Sequence, residues 1–90
     1  MKNQSFTAPW YVYIVRCRDG TLYTGITTDL DRRIEDHNRG IGSKYTAARR
    51  PVRLVYSEPQ PNRSSASKRE AQIKGWPRSK KKSLICHVLI

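Results

Sequence analysis

Five residues combine reactive side chains with spacings that set them on common faces. Arg33 and His37 stand three and seven positions after Leu30 in LDRRIEDH, on the stripe that a helix anchored by Leu30 and Ile34 buries. Glu70 stands between Ala66 and Ile73, an apolar pair at i and i+7. Tyr13 and Tyr23 lie in two segments rich in aromatic and β-branched residues. An arginine offers an anion a planar fork of donors, and a histidine moves protons near neutral pH. A lone carboxylate repels phosphate unless a cation bridges the two.

Each helical residue also has a local explanation. Arg33 can pair with Asp29 or Asp36, and His37 near a helix end is favourable against the helix dipole. Ser67 to Glu70 reads S-x-x-E, a capping box that would start the helix late and leave 62–66 as loop.

The elements that must position these residues follow from the pattern. WYVYIVRC predicts a strand over 10–17, and Thr21 to Ile26 a second, joined as a hairpin. A three-residue loop Arg18-Asp19-Gly20, closing on a left-handed glycine, sets Val15 opposite Tyr23. Tyr13 and Tyr23 then share one face, and Val12, Ile14, Leu22 and Ile26 the other. A helix starts near Thr28 or Asp29 and stops at Gly40. GIGSKYTAARRP reads as a basic loop, Val52 to Ser57 as a third strand, and PQPN as a turn. Asn62 can cap a helix from Arg63 to Gly75, and a short last helix follows Trp76-Pro77. The fold class is α+β: a small three-stranded antiparallel sheet flanked by helices, in the order β-β-α-β-α-α. Residues 1–8 read as a disordered lead-in, and 9–90 as one domain.

Eighteen Lys and Arg against seven Asp and Glu leave a formal charge of +11 on 90 residues. Such a field favours a polyanionic partner. Between Arg63 and Lys82 there are eight basic residues and a single acid, Glu70. No apolar run approaches a membrane span, and the N-terminus lacks the apolar core of a secretory signal. Cys17 and Cys86, without CxxC spacing, fit a reduced, cytoplasmic protein.

The chain resembles the GIY-YIG nuclease superfamily, most closely its small stand-alone bacterial members of the YhbQ type. Tyr11-Val12-Tyr13 stands for the first motif and Tyr23-Thr24-Gly25 for the second. A helix with Arg33 and His37 follows, and ASKREAQIKGW matches the A-x-x-x-E-x-x-I-K segment containing Glu70. The likeness runs from Trp10 to Leu84. Tyr11 replaces the first motif's usual glycine, Ile26 stands where repair relatives carry lysine, and no asparagine follows Asn62.

This resemblance implies a metal-dependent endonuclease on DNA, in repair or recombination, with weak sequence preference. Tyr13, Tyr23, Arg33, His37 and Glu70 are then catalytic. Glu70 would hold one divalent cation, Mg2+ or Mn2+, since a hard oxygen ligand suits either. Tyr23 or Tyr13 would act as general base, with Arg33 and the metal favouring its phenolate. Arg33 would stabilise the scissile phosphate, and His37 relay a proton or hold the phosphate. Gly25 would keep the strand end clear for the nucleic-acid backbone. Lys44, Arg49, Arg50, Lys68, Lys74, Arg78, Lys80, Lys81 and Lys82 complete the expected nucleic-acid contacts of a monomer without a membrane partner. The rival is a non-catalytic basic binding module or adaptor on the same fold.

Overall fold

The computed structural model describes residues 9–88; the expected lead-in at 1–8 lies outside them. Seven elements follow in order: β1 (Trp10–Arg16), β2 (Leu22–Thr27), α1 (Leu30–Asn38), α2 (Lys44–Ala47), β3 (Arg53–Gln60), α3 (Arg63–Lys74) and α4 (Arg78–Val88). The strands form one antiparallel sheet with β1 in the centre, in the order β2-β1-β3.

The hairpin takes the register that sorts its apolar residues. Val15 pairs with Tyr23, Cys17 N–H donates to the Thr21 carbonyl at 2.8 Å, and Gly20 has φ +87°. One sheet face thereby carries Val12 and Ile14 into a core with Tyr56, Ala66 and Ile73, flanked by Leu22, Ile26 and residues of α4. The other carries Tyr13, Val15 and Cys17 against Val52, Tyr23, Leu30 and Ile34. Both faces are therefore covered by helices.

α1 begins where Asp29 accepts the Arg32 N–H and ends in a Schellman motif. Gly40 N–H donates to His37 O, Ile41 N–H donates to Asp36 O, and Gly40 takes φ +85°. Asn62 caps α3 through the Ser65 N–H, so Ser67 lies inside the helix and no capping box forms.

Two elements differ from the sequence reading. The basic loop contains α2, capped by Ser43, whose side chain accepts the Thr46 N–H. β3 starts at Arg53 and continues through Pro59 to Gln60, shortening the expected PQPN turn. Pro59 fits because β3 is an edge strand, where a missing N–H costs no central ladder bond.

Candidate active site

The hairpin and α1 bring Tyr13, Tyr23, Arg33 and His37 together. Tyr13 and His37 are fully buried. Arg33 Nε donates to Tyr13 Oη at 3.3 Å, and Tyr13 Oη lies 2.7 Å from His37 Nε2. On the far side of the imidazole, Nδ1 is 2.7 Å from Thr46 Oγ1, which in turn donates to the Ser43 carbonyl at 3.3 Å. A buried phenol needs an acceptor for its hydrogen, and the acceptor in reach is His37 Nε2. His37 therefore carries its hydrogen on Nδ1 and donates it to Thr46. The order is Arg33 to Tyr13 to His37 to Thr46 to Ser43, each group donating to the next.

Burial and charge keep the Tyr13–His37 pair neutral. Burial raises the Tyr13 phenol above the usual tyrosine value, outweighing the hydrogen bond and charge of Arg33. Burial first, and the Arg33 charge second, hold His37 below the ordinary imidazole value. The expected depression of a tyrosine by Arg33 thus fails at Tyr13, because the desolvated phenolate costs more than one guanidinium returns.

Tyr23 is the accessible partner. It is half-buried, its ring meeting His37 edge-on at 5.3 Å and stacking on Tyr45 at 5.9 Å. Arg33 Nη2 donates to the Gly42 carbonyl at 3.1 Å, while Nη1 makes no hydrogen bond among the described residues. Neither Asp29 nor Asp36 forms an ion pair with Arg33 among them.

Glu70 joins this group through an intermediary. α3 packs Ala66 and Ile73 on the opposite core, and Glu70 Oε2 pairs with Lys74 Nζ at 3.1 Å. That ammonium lies 5.8 Å from the Tyr23 ring centroid. The Glu70 charge also contributes to raising Tyr13. No cluster of three or more His, Cys, Asp or Glu that could hold a metal occurs among the described residues. What Glu70 offers is one carboxylate whose Oε1 makes no hydrogen bond among them. This fits a cation completed by water and phosphate oxygens, not one caged by protein.

The expected nucleic-acid contacts divide. Gly25 is buried, and a Cβ there would stand 2.5 Å from Tyr13 Oη. Its lack of a side chain makes room for Tyr13, so burial replaces the expected approach of a nucleic-acid backbone. Lys44 and Lys68 are exposed. Arg49 stacks over Tyr45 at 3.9 Å and sits 3.3 Å from Asp19, and Arg50 donates to the Ala47 carbonyl. Arg78 donates to the Gly20 carbonyl, Lys80 lies over Trp76 at 4.4 Å, Lys81 is half-buried and Lys82 exposed. These last four belong to α4, whose Leu84 and Ile85 pack on the core opposite the tyrosines.

Sequence reasoning missed Thr46, Ser43, Gly42 and Tyr45, all in or beside α2. The one signal was Ser43, an N-cap type followed three residues later by Thr46.

Comparison with known proteins gives the family and the fold. The model of the GIY-YIG catalytic domain matches residues 9–83. The chain belongs to the GIY-YIG family. A UPF0213 protein of Staphylococcus aureus (strain Mu3 / ATCC 700698) is 56% identical over 75 residues, 83% of this chain and 92% of that protein. The solution NMR structure of a UPF0213 protein from Bacillus halodurans is 46% identical, with TM-score 0.56, covering 87% of this chain and 83% of that one. A solution NMR structure of a protein from E. faecalis is 39% identical, with TM-score 0.61, covering all of this chain and 94% of that one. The family is one of nucleases, which act on nucleic acid and generally use divalent metals. Among the described residues no helix is long and apolar enough to cross a membrane.

Proposed function

We propose that the protein is a divalent-metal-dependent endonuclease of the cytoplasm, acting on DNA as a monomer with weak sequence preference. The observation that carries this reading is the convergence of Tyr13, Tyr23, Arg33 and His37 in one contact network, with Glu70 beside it.

Burial separates the roles of the two tyrosines. Tyr13 is enclosed and spent on Arg33 and His37, so it serves as a positioning residue. Tyr23 is only half-buried and would orient the attacking water or take its proton, with the Lys74 ammonium 5.8 Å from its ring centroid. Arg33 meets the scissile phosphate through Nη1, held in place by its bonds to Tyr13 and Gly42. His37 accepts the Tyr13 hydrogen and thereby fixes the oxygen that Arg33 leans on.

Glu70 would hold Mg2+ or Mn2+, which when bound supplies Lewis-acid stabilisation of charge on a phosphate oxygen. A cation on Oε1 would compete with Lys74 on Oε2 for the same carboxylate charge, a small cost for a partly exposed i, i+4 pair.

The same ion pair favours a second reading. If Lys74 stays on Glu70, the carboxylate is neutralised and the basic surface binds nucleic acid without cutting it. A panel of single-stranded, duplex and branched DNA and RNA, incubated with Mg2+, Mn2+ or EDTA, decides between them. Metal-dependent cleavage of DNA supports the nuclease. Binding without cleavage under either metal supports the module.

A further inference from the structure

Positive charge that takes no part in the candidate active site collects behind the sheet. Arg16 and Arg53 are direct partners across β1 and β3, and both are exposed. Neither forms an ion pair among the described residues. Like charges directly opposite on a sheet are destabilising. Arg78 and Lys82 stand four apart on α4, a second like-charge pair, unfavourable on a helix. All four line one cavity of about 370 Å³, floored by Leu22, Val55 and Ile85 and lined by no acidic residue.

Two repulsive pairs at one cavity are relieved when an anion enters between them. The apolar floor then favours an anion with an apolar body over a bare ion. The volume lies toward the lower end of small-ligand sites, roughly 300–1,000 Å³. A nucleotide unit meets all three conditions. We propose that this groove takes an unpaired nucleotide of a nucleic-acid strand. Its phosphate lies among Arg16, Arg53 and Lys82, and its base over Leu22, Val55 and Ile85. The inference rests on the reading that the partner is nucleic acid, and adds a contact distinct from the candidate active site. Leu22 and Tyr23 are consecutive in β2, so their side chains leave opposite faces and the groove lies behind the tyrosines.

Cys86 lines the groove and is exposed, whereas Cys17 is buried, so one thiol reports occupancy. The test measures Cys86 alkylation by N-ethylmaleimide in metal-free buffer, with and without oligothymidylate. It is paired with the oligothymidylate affinity of Arg53→Gln. At ten times the Kd, alkylation should slow about tenfold, following the fraction of free sites. Arg53→Gln should bind about eightfold more weakly at 50 mM salt, since one phosphate contact contributes a log–log slope of about 0.7 on a single strand. The variant should melt no lower than the parent, because one member of a repulsive pair has gone. Unchanged alkylation with oligothymidylate bound, or parental affinity in Arg53→Gln, overturns the groove while leaving the nuclease reading intact. Protection by phosphatidylglycerol vesicles but not by oligothymidylate overturns it in favour of a lipid surface. A parent that binds none of the panel's nucleic acids overturns both.

Discussion

Replacing Gly25 by alanine adds one methyl group, and the structure says where it goes. The new Cβ would meet Tyr13 Oη at 2.5 Å and Cζ at 2.7 Å, where real contacts are essentially never under 3.0 Å. The ring must therefore retreat by at least about 0.5 Å, in a site where Tyr13 is fully buried. Retreat strains the 2.7 Å contact with His37 and the 3.3 Å bond from Arg33. Overpacking of this kind costs about 1–3 kcal/mol, and weakened hydrogen bonds add to it. We expect a loss of about 2 kcal/mol or more, which for a domain this small lowers Tm by at least roughly 8 °C. Thermal denaturation of Gly25→Ala beside the parent, followed by circular dichroism, measures it. A variant with parental Tm and weaker nucleic-acid binding would refute the packing argument and restore Gly25 as a backbone contact.

Thr46→Val removes the acceptor of His37 Nδ1–H inside the protein. It should cost about 1–3 kcal/mol and disturb the imidazole tautomer seen by nitrogen NMR, whereas Thr46→Ser retains both. The lowered pKa of His37 means that the unfolded chain takes up its proton first, at about 6.5. Its share of stability is complete above that value and is lost as pH falls through it, until the folded form is also protonated. Unfolding free energies from denaturant titrations should therefore fall more steeply from pH 7 toward 5 in the parent than in His37→Gln, by up to about 1.4 kcal/mol per pH unit. Lys80, Lys81 and Lys82 occupy consecutive positions on α4 and point roughly 100° apart, so they cannot act as three equivalent phosphate contacts. Lys82→Gln should flatten the salt dependence of single-strand binding by about 0.7, and Lys80→Gln should leave it nearly unchanged.

The parts of this fold that follow from local rules were legible in the sequence. The hairpin register came from asking which loop puts Val12, Ile14, Leu22 and Ile26 on one face, and that face is a core. Gly40 announced the end of α1 because its left-handed conformation disfavours other residues. Arg33 and His37 lie on the inward stripe that their spacing from Leu30 predicted, and Asn62 overrides the S-x-x-E signal at Ser67.

What stayed hidden depends on contacts distant in the chain. α2 has four residues, too few to form alone, and is anchored by Thr46 against a histidine on another helix. Pro59 looked like a strand breaker until the strand order placed β3 at an edge. A run of three lysines looked like one patch, but the turn of α4 divides it. The opposite pKa direction at Tyr13 could not be read without knowing its burial.

The central claim is tested most directly by the cleavage rate of Glu70→Gln relative to the parent, on whichever DNA the parent cuts, at saturating Mg2+ or Mn2+. Glutamine preserves the shape of the side chain and removes the charge that would hold the cation. The pair with Lys74 is partly exposed and of the i, i+4 kind, so its loss should cost no more than about 0.5 kcal/mol of stability. Metal-free DNA binding should hold or improve, because a negative charge has left a basic surface. Cleavage should fall at least about a hundredfold, the rate equivalent of roughly 3 kcal/mol of lost transition-state stabilisation. A Glu70→Gln protein that folds normally and cleaves DNA as fast as the parent would contradict the account.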